Sequence, residues 1–207
     1  CEMCIRDRID YAFVDAEYYR SGGIRLHYKS QTDTIEGVKE GILLEAGFDT
    51  VTPNQKRLIS SWAYERVKEN GAIEILDNRA FDILCYHPGY TFVEKLQTIA
   101  TKFRQEQNGA AVRPNLMRQY YDIARLLDHP DVQQFIGTSE YQAHKNERFP
   151  AKDKEIPITE NEAFLLNNPA LRAQFRKRYE ETASLYYTGQ PDFDSLLAKI
   201  KEHIGKL

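Results

Sequence analysis

The 207-residue chain is poor in several features that would settle a function quickly. It has three cysteines, two methionines and one tryptophan. Three thiols cannot build a disulfide framework, which points to a reducing, cytoplasmic setting. No apolar run approaches the roughly 18 residues needed to cross a bilayer, and there is no signal-peptide core, so no membrane partner is expected. Neither sign of charge dominates: 28 Lys and Arg against 31 Asp and Glu leave a net charge of -3. That balance excludes a strongly basic nucleic-acid coat but leaves room for a local basic patch. The sequence contains no P-loop, no G-x-G-x-x-G and no G-x-S-x-G. Its five histidines, His27, His87, His129, His144 and His203, never pair at metal-ligand spacing.

With 42% apolar and 29% charged residues, the chain can bury a core. Cys1-Glu2-Met3-Cys4 forms a C-x-x-C, the spacing of a redox pair or half a zinc site. Cys85 is the only further thiol, and a redox pair belongs after a strand rather than at a terminus. The plainer expectation is that residues 1–8 are a terminal scrap of non-native origin. Because residue 1 is Cys rather than Met, the natural coding sequence is expected to extend upstream.

The pattern changes near residue 90. Before it, Ile24, Leu26 and Tyr28 alternate with Arg25, His27 and Lys29, which reads as a strand. Residues Ile42 to Phe48 form a second strand, with Ile42, Leu44, Ala46 and Phe48 on one face and Leu43, Glu45 and Asp49 on the other. Leu58 to Lys68 reads as a short helix ending before Gly71; Ile73 to Leu76 and Phe81 to Tyr86 read as strands. After residue 90 the apolar spacing is helical: Phe92, Leu96, Ile99 and Phe103, then Leu116, Tyr120, Ile123 and Leu127. A third helix is expected over Asp131 to His144 and a loop over Ala151 to Ile158. A helix capped by Asn168 and Pro169 should run to Tyr187, and one capped by Asp192 should close the chain. The expected class is α+β: residues 9–89 a small α/β core, residues 90–207 a helical lobe.

Several residues could carry chemistry. At 100° per residue, Lys95 falls beside the apolar stripe near the start of its helix. There it could hold phosphate or simply snorkel; Glu94 falls on the far side, in solvent. Asp122 has Arg118 four residues before it and Arg125 three after. That is either a surface ion-pair ladder or a carboxylate held to orient another group. Glu45, mid-strand, could be one ligand of a magnesium site that needs at least two more carboxylates. Arg172, Arg176, Lys177 and Arg178 wrap around their helix, which suits a solvated surface, with RNA backbone contact as the minority reading.

Tyr86-His87-Pro88, Thr91-Phe92-Val93-Glu94-Lys95-Leu96, Arg118 and Tyr121-Asp122 together resemble the AbiEii-type nucleotidyltransferase toxins of type IV toxin–antitoxin pairs. The resemblance implies a polymerase-β-like sheet and transfer of a nucleotide from an NTP, with magnesium, to a tRNA or protein acceptor. It also implies a cognate antitoxin. On the same basis, Lys95 and Arg118 would meet the nucleotide, Asp122 would support the site, and Glu45 would be a metal ligand. The family's Asp-x-Asp should precede Glu45, yet Ser21-Gly22-Gly23 is followed by none. Asp192-Phe193-Asp194 has the spacing but reads as a helix cap. The expectation is therefore a C-terminal portion of such an enzyme, inactive by itself. The competing class is a non-catalytic helical module that binds RNA or protein.

Overall fold

The structure, a computed structural model, describes residues 6–30, 33, 39–71, 74–113, 115–186 and 188–207. It is α+β, and the chain divides into two compact units, Cys1–Val51 and Thr52–Leu207. Cys1 and Cys4 lie outside the described residues, and Cys85 is a free thiol.

The first unit holds three antiparallel strands in spatial order β1 (Arg6–Ile9), β2 (Ser21–His27) and β3 (Ile42–Gly47). Arg25 Nε donates to Asp10 at 2.9 Å, with both side chains about nine-tenths covered. A 3-10 turn, Tyr11–Phe13, crosses β2 so closely that a Cβ on Gly23 would lie 2.9 Å from Phe13 Cβ. Leu43 packs over that same glycine, which is why it is the better covered side chain of β3. The larger apolar set stays open: Ile42, Leu44 and Phe48 are 53%, 56% and 85% exposed.

The second unit opens with an antiparallel pair, β4 (Asn54–Ile59) and β5 (Ala80–Tyr86), bulged between Arg57 and Ile59. Helix α1 (Trp62–Asn70) lies between them in sequence. Ser61 caps it by accepting from the Tyr64 N–H, and Gly71 ends it at φ +61°. The start of the expected helix at Leu58 thus belongs to a strand instead. Of the strand expected over 73–76, residues 74–76 have no regular structure and Ile73 lies outside the described residues.

Every buried hydrophobic side chain among the described residues comes after this point, on the helices and the short segments that join them. The helices are α2 (Pro88–Gln107), α3 (Leu116–Leu126), α4 (Pro130–Phe135), α5 (Ser139–Arg148), α6 (Ala151–Lys154), α7 (Glu162–Leu165), α8 (Pro169–Glu180) and α9 (Phe193–His203). Helix α2 is the hub and packs against α3, α4, α5, α6 and α7. Its stripe Phe92, Val93, Leu96, Ile99, Ala100 and Phe103 is buried, each large side chain contributing about 1.5–3 kcal/mol of transfer free energy.

Three helical expectations change. The helix expected over 131–144 is two, broken at Gly137 (φ +85°), after which Thr138 caps α5 by accepting from the Tyr141 N–H. The expected loop over 151–158 contains the single turn α6. Helix α8 stops at Glu180 rather than Tyr187, because Thr182 and Gln190 side chains donate to the Tyr179 carbonyl and take the chain out of the helix. Asn168 with Pro169, and Asp192, cap α8 and α9 as expected.

Candidate active site

Two neighbouring helices bring Lys95 and Asp122 together. Lys95 follows the buried Val93 on α2, and Asp122 precedes the buried Ile123 on α3, so the packed faces carry both side chains to the rim of the interface. Lys95 Nζ lies 2.9 Å from Asp122 Oδ2, with the side chains 31% and 37% exposed. A pair this open contributes about 0–1 kcal/mol to stability, so holding the fold does not account for it. Both charges remain within reach of solvent and of a ligand.

The surface ladder around Asp122 does not form as a ladder. Arg125 turns to Asp128 at 3.6 Å. Arg118, one turn before Asp122, is exposed and has no ion pair among the described residues. Its charge and that of Asp122 both act on Tyr186, whose hydroxyl is pushed up mainly by burial. The Tyr186 ring meets Tyr121 edge-on at 4.8 Å, and its buried hydroxyl has no hydrogen bond of good geometry. Nothing in the sequence pattern points to Tyr186 as a neighbour of Asp122, since 64 positions separate them.

Glu94 is not a solvated side chain. Tyr86 donates to Glu94 Oε1 at 3.1 Å, and Arg148 Nη2 and His144 Nε2 lie 3.2 and 3.5 Å from the same oxygen. The cluster ties the end of β5 and α5 to the first turns of α2, one residue from Lys95. His87 caps α2 through Nδ1, accepting from the Gly89 N–H at 3.1 Å.

The basic run on α8 is neutralised within the chain. Arg172 Nε donates to Asp194 at 2.7 Å and Arg176 pairs with the same carboxylate. Arg178 pairs with Glu106 at 2.9 Å, with side chains 12% and 6% exposed. Only Lys177 of the run is exposed. Asp192 caps α9 by accepting from the Ser195 N–H, so the Asp-x-Asp spacing here serves a helix start and an arginine clamp. This removes the most obvious RNA surface from the non-catalytic alternative.

Glu45 lies in the first unit, opposite Gly23 in the β2–β3 register, and is exposed. Among the described residues no three His, Cys, Asp or Glu side chains are grouped so that they could hold a metal ion. A lone exposed carboxylate does not fit a magnesium centre, which needs several oxygen ligands around one point. Among the described residues no helix is long and apolar enough to cross a membrane.

A family model described as nucleotidyl transferase AbiEii toxin, type IV TA system, matches residues 5–199. No curated protein and no solved structure shows significant similarity to the chain.

Proposed function

The chain belongs to the AbiEii nucleotidyl transferase toxin family of type IV toxin–antitoxin systems, and on that premise we propose that its Lys95–Asp122 pair serves the phosphates of an NTP. The family implies an NTP substrate and a cognate antitoxin. In the reaction an acceptor hydroxyl, on an RNA or a protein, attacks the α-phosphorus and pyrophosphate leaves. The observation that carries the reading is the 2.9 Å contact between two charges, each about a third exposed, that stability does not require. Lys95 offers an ammonium to phosphate oxygens, and Asp122 holds that ammonium in place while no anion is bound. Arg118, exposed one turn away, supplies a second cation for the nucleotide.

Magnesium supplies charge neutralisation in such transfers, and no step here is assigned to it, because the described residues do not fit its site. These 207 residues contain no Asp-x-Asp between Ser21 and Glu45. Efficient transfer by this chain alone is therefore not expected, although nucleotide binding is. A thermal-shift titration with NTP checks both halves. Binding to the folded state raises Tm as NTP exceeds its Kd, and Lys95→Ala should abolish the rise. A flat response of the unaltered chain overturns the nucleotide site. Robust transfer of labelled NTP, lost in Lys95→Ala, overturns the inactivity and strengthens the site.

A further inference from the structure

We propose that Lys102 of α2 and Arg113 of the α2–α3 connection form a second anion pocket that takes a phosphate group. The choice of ligand rests on the transferase reading and deepens it. The two side chains line a surface cavity of about 330 Å³ together with Ala111, Val112 and Asn115. Lys102 follows Lys95 by seven residues, so both leave the same side of α2, roughly 10 Å apart along its axis.

Among the described residues neither cation has a carboxylate partner. Among the described residues the Arg113 guanidinium hydrogen-bonds only Gln105 Oε1, at 3.5 Å. Its backbone, by contrast, is gripped from both sides. The Arg113 N–H donates to Glu106 Oε1 at 2.8 Å, and its carbonyl accepts from Arg178 Nη2 at 3.2 Å. Glu106 and Arg178 are themselves the largely buried ion pair that joins α2 to α8. A buried scaffold thus fixes the loop at the residue whose own charge is left unanswered.

Lys102 is held in an unfavourable place for a cation. Burial lowers its affinity for its proton, the neighbouring Arg113 and Lys95 lower it further, and Glu106, whose carboxylate is engaged by Arg178 and the Arg113 N–H, opposes them without overcoming them. Cations gathered with no carboxylate bound to either gain from an anion placed among them. A phosphate, with several acceptor oxygens, suits an ammonium, a guanidinium and an amide that line one cavity. Two sources share that chemistry: the phosphate tail of the NTP and the backbone of a nucleic-acid acceptor.

The test uses the full chain in metal-free buffer with two probes, ATP and a fluorescein-labelled single-stranded RNA oligonucleotide. Lys102→Gln and Arg113→Gln are compared with the unaltered chain, Lys95 being left intact. For RNA, each variant should weaken binding and reduce the slope of log K against log salt by about 1. For ATP, each should lose most of the thermal shift. An effect confined to RNA assigns the pocket to the acceptor backbone; one confined to ATP assigns it to the nucleotide tail. Variants that match the unaltered chain with both probes, or an unaltered chain that binds neither, overturn the proposal. Should a variant fail to fold, acylation of Lys102 in the unaltered chain decides. Protection by either probe supports the pocket, and equal labelling with and without both sinks it. Lys95→Ala run in parallel separates the two readings, since it tests the transferase site and not this pocket.

Discussion

His144 is nine-tenths buried, with its ring 4.6 Å from Tyr90 and its Nε2 without a hydrogen bond. Burial lowers its affinity for a proton, and Arg148 adds to that, while Glu94 and Glu147 act in the opposite sense without overcoming it. The sign of the consequence follows from linkage. Below the unfolded value of about 6.5 the unfolded chain binds the proton more readily than the folded one. Stability contributed by the neutral ring is therefore present above about pH 6.5 and is lost as pH falls through the lower folded value. Melting temperatures at about pH 7.5 and pH 5 should differ more for the unaltered chain than for His144→Gln; equal differences would contradict this. The α8 basic run makes a second residue-scale contrast. Arg178→Met strands Glu106 in a largely buried place and should cost about 2–3 kcal/mol. That corresponds to a fall in Tm of about 5–10 °C. Lys177→Ala, on an exposed side chain, should change stability by less than about 0.5 kcal/mol. Thermal denaturation of both variants checks the contrast.

The start of α2 shows what one element requires of another. His87 and Pro88 begin the helix, and Gly89 then allows α4 to approach it. A Cβ on Gly89 would lie 2.4 Å from Phe135 Cδ1, closer than non-bonded atoms pack. Phe135 cannot simply swing away, because it stacks on Tyr90 at 4.7 Å and meets Tyr141 edge-on. Gly89→Ala should cost about 1–3 kcal/mol through overpacking, despite alanine's better helix propensity. Adding Phe135→Leu should recover part of that loss. Chemical denaturation of the single and double variants measures it, and simple additivity of the two would rule the contact out as the cause. Local signals placed most element starts correctly, because a cap is a contact between residues two or three positions apart. Asn168 and Asp192 could both be read that way. Element ends were less legible. The end of α8 depends on Gln190 reaching back to Tyr179, and the break between α4 and α5 depends on Gly137 taking a positive φ within an otherwise helical pattern.

At the scale of the whole molecule, the apolar core belongs to the helices. Every buried hydrophobic side chain among the described residues lies between Phe92 and Leu207. Residues 52–207 should therefore unfold cooperatively when expressed alone. Residues 1–51, in which Gly23 is the one buried residue among those described, should show no cooperative transition. Circular dichroism during thermal unfolding of the two pieces decides, and a cooperative melt of residues 1–51 would contradict the core's location. The composition of the chain bears on this asymmetry only weakly, since apolar residues occur throughout. Leu44 and Phe48 have the same chemistry as Leu96 and Phe103, yet the former are 56% and 85% exposed and the latter buried.

The amino-acid sequence by itself determined the α+β class, the places of β2 and β3 though not which of their faces is covered, the apolar stripes of α2 and α3, and the family. Those rest on period and on short motifs, which are properties of neighbouring residues. It also brought Lys95 and Asp122 forward through the family resemblance, each as a separate site residue, while their spacing of 27 residues carried no geometric information. Only the tertiary structure decided which charges are answered. It placed Asp122 on Lys95 rather than on Arg118 or Arg125, gathered Tyr86, His144 and Arg148 around Glu94, and spent the α8 arginines on Asp194 and Glu106. Among the described residues, Lys102 and Arg113 were left without an ion-pair carboxylate. The physical reason is that an ion pair is settled by distance in space, and here the partners lie between 18 and 72 residues apart in most cases, a separation over which no sequence periodicity operates.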